Sequence, residues 1–415
     1  MLIETTLLVK DSAIIQGLLD GSLKRFGGVI REAATGRIVR HLLETPGLTN
    51  QLMTLPLSPV LGGASLITNL VGQGVTIHKL DKMQQQLLSV LQLTQIAAGA
   101  SVLNLGVSIA GFAYMGYKLS QIQNALDNVQ KSLEAGFHQI EECLDNLSSQ
   151  LAYLHLLVEH SRQEQQRIGK AISELHRTIL IREMADLRSE ILDRSRYPDA
   201  PARDALKVAS RVRIVLSDQT MQAKPALEAQ TMLIADVATQ GWAVATATEA
   251  YLLLEIGQIN EAQQLLAFEV PRFRNIAEQW SDALIPDERS QLATAYRFAA
   301  PRFREHINSE RIERIAYISS IDSSLSKDQI RRKKKDAELE FEMSYSSQFD
   351  EKWTYNQIAV AEYLDTLSEL LARLESLQDF ANMCKSKGVK SSHDILLGDS
   401  VESGLYSLPA NEDRY

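Results

Sequence analysis

Cysteine is nearly absent from this chain. Cys143 and Cys384 are its only two in 415 residues, too few for a disulfide framework, so a reducing compartment is expected. Aromatic residues are sparse at 6%, and glycine and proline are modest. Leu, Ala, Gln and Glu recur instead, a mix that favours helices over strands. Positive charge is in deficit. The formal net charge of -9 argues against a general nucleic-acid binder, which needs a concentrated positive surface. The opening MLIETTLLVKD has an acid at Glu4 and no basic stretch before an apolar core, so no secretory signal is expected. These features predict a cytoplasmic protein, able to associate with membranes, or one exported by a leaderless route.

Several chemistries lack their residues. No glycine-rich turn ends in Gly-Lys-Ser/Thr, and Gly62-Gly63-Ala64-Ser65 has neither the lysine nor a preceding strand for a phosphate loop. His155 and His160 are five apart, on diverging faces of a helix, and no HExxH pattern is present. Cys143 follows Glu141 and Glu142, the wrong electrostatic neighbourhood for an activated thiol. No enzyme activity, catalytic residue, cofactor or metal is expected.

The residues that are present describe an architecture. RFGGVIREAATGRIVRHLLE carries two β-branched runs, Val29-Ile30 and Ile38-Val39, with a turn at Thr35-Gly36, and predicts a small β-hairpin. A hairpin alone is marginal in water, so it must lean on a helix or another chain. Residues 46–78 contain no Asp, Glu, Lys or Arg, and Pro56, Pro59, Gly62, Gly63, Gly72 and Gly74 divide them, which excludes one straight helix. After Lys79, Asp81 and Lys82, a second uncharged run extends from Met83 to Tyr117. Its window Ile96 to Tyr117 is long enough to cross a bilayer. Ile96, Leu105, Ile109 and Phe112 supply apolar surface there. Ala97 with Ser101, and Gly106 with Ala110, are small residues four apart that let helices approach closely. Tyr114 and Tyr117 stand beside Lys118, as at a headgroup boundary. The same run also fits a helix buried in protein.

From Leu119 the spacing becomes regular. Leu119, Ile122, Leu126, Val129 and Leu133 follow 3-4-3-4 steps, and Phe137, Ile140, Leu144, Leu147 and Leu151 resume them after one skipped residue. This is a coiled-coil seam with an irregularity near Gly136. Helix is expected up to Arg196, where Tyr197-Pro198 and Pro201 stop it. Roughly 80 residues at about 1.5 Å each would make a rod of about 120 Å, which must pack on another long helix or subunit. WAVATATEAYLLLEIGQINEAQQLL looks like one tetratricopeptide-type helical hairpin with Gly257 at its turn and Ala262 in the second helix. A single copy reads more simply as an ordinary helix pair. Another helix is expected from Pro286, one over Asp328 to Met343, and a last amphipathic one over TYNQIAVAEYLDTLSELLARLESLQDFANMC. The cluster Arg331, Arg332, Lys333, Lys334 and Lys335 precedes DAELEFE. It reads as a solvated helix face or, more sharply, as a contact for anionic lipid or an acidic partner.

An apolar head on a long helical stalk, over residues 46–196, resembles in layout the α-helical pore-forming toxins of the cytolysin A type. The head lies nearer the N-terminus here, and no motif of that family matches residue by residue. The resemblance implies insertion into membrane after self-assembly. The fold class expected is mainly α. It comprises a β-hairpin module over 1–45, an apolar Gly/Ala-rich head over 46–118, a coiled-coil helix over 119–197, and a helical region over 203–324. Long helices packing back follow over 325–385, then a polar, loosely ordered tail over 386–415. Two functions follow: a membrane-acting, self-assembling protein with a conditionally exposed apolar segment, or a soluble coiled-coil scaffold or adaptor. The expected partners are further copies of the chain, a lipid membrane, and a protein recognised by the C-terminal helices.

Overall fold

A computed structural model of the protein describes residues 6–7, 12–26, 29–33, 37–44, 179–197, 200–284, 298, 307, 309–318, 332, 335–336, 351–395 and 404–409. The fold is mainly α, as the composition leads one to expect. Both uncharged runs lie outside the described residues, as do the seam positions from Leu119 to Leu151, His155, His160, Cys143 and the helix expected from Pro286.

Among the described residues, six helices build one contiguous core. They are α2 (Ile179–Arg196), α3 (Arg203–Gln222), α4 (Ala229–Glu255), α5 (Ile259–Leu284), α6 (Ser309–Ile318) and α7 (Glu351–Ser386). Helix α2 stops at Arg196, before Tyr197 and Pro198, because the residue preceding a proline is pushed away from helical geometry. Helix α3 buries Ala205, Ala209, Val212, Leu216 and Thr220, three to four residues apart, in one stripe against α4. Helix α5 presents Ala262, Leu266, Val270, Phe273, Ala277, Trp280 and Leu284 inward at the same spacing. Helix α4 instead buries residues on nearly every side, including Leu233, Val237, Trp242, Ala245 and Leu252, because it is central and touches α2, α3, α5 and α7.

The expected hairpin over Trp242–Leu266 is present as the join of α4 and α5, two helices of 27 and 26 residues. Its turn needs glycine twice over. Gly257 has φ +82, with its own N–H on the Leu254 carbonyl and that of Gln258 on the Leu253 carbonyl. That is the Schellman arrangement for ending a helix. In addition, a Cβ at Gly257 would lie 2.5 Å from the Lys390 carbonyl oxygen. Helix α7 ends in the same way at Gly388, with φ +62.

The N-terminal residues form strands β1 (Thr6–Leu7), β2 (Leu23–Phe26), β3 (Val29–Glu32) and β4 (Ile38–Glu44), with helix α1 (Ser12–Asp20) between β1 and β2. The expected hairpin is the antiparallel pair β3–β4. A third strand, β2, pairs with β3, which the basic sequence Leu23-Lys24-Arg25-Phe26 did not announce. The polar end of the chain departs from the expectation of a loose tail. Residues Ser392–Asp394 form a 3-10 turn, and Gly404–Pro409 form strand β5. Strand β5 lies antiparallel to β4 and parallel to β1, so the sheet order is β1-β5-β4-β3-β2. Leu405, Tyr406 and Leu408 give this short stretch strand character, and the open edge of β4 supplies the backbone partners that solvent would otherwise supply.

Candidate functional site

Helix α7 is largely apolar where it enters the core, yet it carries Glu375 and Asp379 four residues apart. Residues at that spacing share one helix face. Two side chains of the sheet reach this face. The Arg31 guanidinium on β3 donates from Nη2 to Glu375 Oε2 at 2.9 Å. His41 on β4 places Nε2 2.8 Å from Asp379 Oδ2, and its ring meets Phe380 edge-on with centroids 6.1 Å apart. The hairpin therefore leans on a helix of its own chain. The sheet-side partners are deeply buried, His41 at 0% exposure, whereas Asp379 keeps 40%. The Nδ1 of His41 is buried without a hydrogen-bond partner among the described residues. Arg274 of α5 binds the other oxygen of Glu375 through Nη2, so this carboxylate joins the sheet, α5 and α7 at one point.

A second acidic hub lies inside the bundle. Glu269 on α5 has 0% exposure. It accepts from Arg213 of α3 at 2.5 Å, from Trp242 Nε1 of α4 at 3.1 Å, and from Arg272 at 3.1 Å. Arg213 also donates to Glu249 at 2.7 Å. Burial pushes the Arg213 guanidinium towards losing its proton, but Glu249 and Glu269 outweigh this and hold it above its ordinary value. Nearby, Arg272 lies over the Phe268 ring, 4.8 Å from its centroid, a cation–π contact. Phe268 is 62% exposed, Arg272 also reaches the Sδ of the exposed Met221 on α3 at 3.0 Å, and Ile214 is exposed on the same helix. At the far end of α4, Glu255 accepts from Arg194 of α2. Burial, then the Glu255 charge, raises the nearby Tyr251 hydroxyl well above its usual range. On the other side of the bundle, Arg314 of α6 grips Asp365 of α7 with two bonds, at 2.5 and 2.9 Å.

These carboxylates have cationic or N–H partners, so the geometry is that of joints between elements. Cys384 on α7 is buried, and burial pushes its thiol up to about 12, far from a reactive thiolate. Among the described residues, no group of three or more His, Cys, Asp or Glu could hold a metal ion. Also among them, no helix is long and apolar enough to cross a membrane.

Of the candidates raised by sequence, Arg332 and Lys335 are helical and exposed, while Arg331, Lys333 and Lys334 lie outside the described residues. So do the ten positions from Ile96 to Tyr117 and the ten seam positions from Leu119 to Leu151. The joints at Glu375, Asp379 and Glu269 escaped sequence reasoning. Locally they gave no signal, because Glu375 and Asp379 share their helix face with Gln378 and Asn382 and read as an ordinary solvated face. Their partners lie more than three hundred residues away in Arg31 and His41. No family model, no curated protein and no solved structure matches this chain.

Proposed function

We propose that this is a membrane-acting, self-assembling α-helical protein whose uncharged segment is exposed conditionally, in the manner of a toxin or an effector. Placement carries the proposal. Strand β4, held on α7 through His41, ends at Glu44, and helix α2, packed on α3 and α4, begins at Ile179. The uncharged runs 46–78 and 83–117 and the heptad-like spacing from Leu119 lie between these two anchored elements. A body of this kind can hold an apolar insertion by both ends until it meets lipid or another copy. The exposed Arg332 and Lys335 would face anionic headgroups. On this proposal the protein is cytoplasmic until it associates with membrane, has no enzymatic activity, and does not act on nucleic acid.

Purified full-length protein mixed with dye-loaded vesicles of phosphatidylserine and phosphatidylcholine tests it. Dye release and co-flotation are expected. Neither occurring would overturn membrane action on such lipids.

A second function, a soluble scaffold whose uncharged segment is an oligomer core, draws on a different observation. The exposed Met221 and Phe268, both in contact with Arg272, supply apolar surface of the kind that binds a protein partner. In that case Ala110→Lys would disrupt the oligomer itself. Under membrane action it would abolish dye release and leave the soluble form intact.

A further inference from the structure

We infer that Glu375 and Asp379 form a latch, and that opening it lets the sheet leave the helical bundle as a unit. The contact is built so that both halves stay chemically satisfied when parted. On the bundle side, Glu375 keeps Arg274, and Asp379 is already 40% exposed to water. On the sheet side, Arg31 and His41 meet these acids at 8% and 0% exposure, and the buried Nδ1 of His41, which has no hydrogen-bond partner among the described residues, would gain water on release. The sheet holds itself together through backbone pairing of β2 with β3, β3 with β4, and β4 with β5. It does not need α7 for its ladder. By contrast, Glu269 has no second state, because its partners come from three interlocked helices and parting them would open the core. A discrete contact that can part without stranding its charges in the core is what a conformational switch requires. Strand β4 leads directly into the uncharged stretch beginning at Pro46, so movement of the sheet moves the root of that stretch. The link to exposure of the apolar run rests on the membrane action proposed above.

Hydrogen exchange on the full-length Glu375→Gln/Asp379→Asn variant tests the latch. Amides of β3, β4 and β5 should exchange about tenfold faster or more, since bonds to charged groups are lost, while those of α4 keep their protection. Glu369→Gln is the control. It breaks an ion pair of similar exposure on the same helix, to Arg373 at 2.9 Å, and should leave sheet exchange unchanged. Unchanged exchange of the sheet in the double variant would overturn the latch. So would an equal acceleration in α4, which signals general loosening. Vesicle leakage supplies the second readout, with dye release expected several-fold faster in the double variant. If both proteins leak at the same rate while the sheet exchanges faster, the latch does not gate membrane action. If neither leaks, membrane action fails, and the exchange result alone decides the latch.

Discussion

Glu269 and Glu375 each accept hydrogen bonds from two arginines, but the first lies inside the helical bundle and the second at its seam with the sheet. Glu269 is wholly buried and ties α3, α4 and α5 together. Glu375 keeps 15% exposure and ties β3 to α5 and α7. The same chemistry therefore does two jobs, and the difference lies in what surrounds it. Where the carboxylate itself is wholly buried, loss of a partner leaves its charge stranded in low dielectric, which makes the joint permanent. Where water is one step away, the joint can part without leaving a buried orphan.

Substitutions that remove one carboxylate at a time separate the two cases, with effects that should fall in order. Glu269→Leu should be the most damaging. It leaves Arg213, Arg272 and the Trp242 N–H short of an acceptor, a loss of about 3–5 kcal/mol that urea denaturation followed by far-ultraviolet circular dichroism would register. A midpoint equal to that of the parent protein would show that the cluster contributes nothing to stability. Glu375→Gln should cost less, about 1.5–3 kcal/mol. Its loss should show in exchange of the sheet before it shows in melting of the helices. Should Glu375→Gln prove as costly as Glu269→Leu, the contrast between seam and core would collapse.

Glu190 supplies the smallest effect and the opposite sign. Burial, followed by the charges of Asp193, Asp204 and Asp186, raises its carboxyl above the usual range. A carboxyl with a raised folded value binds its proton more tightly in the folded than in the unfolded chain. Stability then falls as pH rises through the window above the ordinary carboxylate range. Glu190→Gln should remove that slope. The variant should match the parent in acid and be slightly more stable near neutrality, within about 0.5 kcal/mol for so accessible a group. A parent and variant with parallel stability curves across that window would contradict the assignment.

The parts of the fold that were legible in sequence are those written in local chemistry. The stop at Tyr197-Pro198, the hairpin from Val29 to Val39, and the turn at Gly257 each depend on residues within a few positions of one another. Helix α7 was legible as a helix, but its position was not. An amphipathic pattern predicts one buried face, whereas Ala361, Leu364, Leu367, Ser368, Leu371, Ser376 and Phe380 are buried around more than one. The joints were illegible for a different reason. Arg31, Arg274 and Glu375 are ordinary surface-type residues by composition, and only the crossing of β3 and α5 over α7 brings them together. Strand β5 was missed because Leu405, Tyr406 and Leu408 stand among Gly, Ser and Pro, and their strand character counts only beside the distant edge of β4 that they pair with. The uncharged runs that suggested membrane action lie outside the described residues, so they stand as expectations for the experiments above.

The insertion of β5 between β1 and β4 has a consequence for how the protein is made. Residues 38–44 leave the ribosome some 360 positions ahead of residues 404–409, at roughly 5–20 residues per second. For that interval, tens of seconds at the slower rate, a nascent chain displays the edge of β4 with its natural neighbour not yet synthesised. An unpaired edge is a template for any passing strand. Arrest of translation before residue 404 should therefore yield chains that aggregate through β4, or that accept a synthetic GLYSLP peptide supplied in trans.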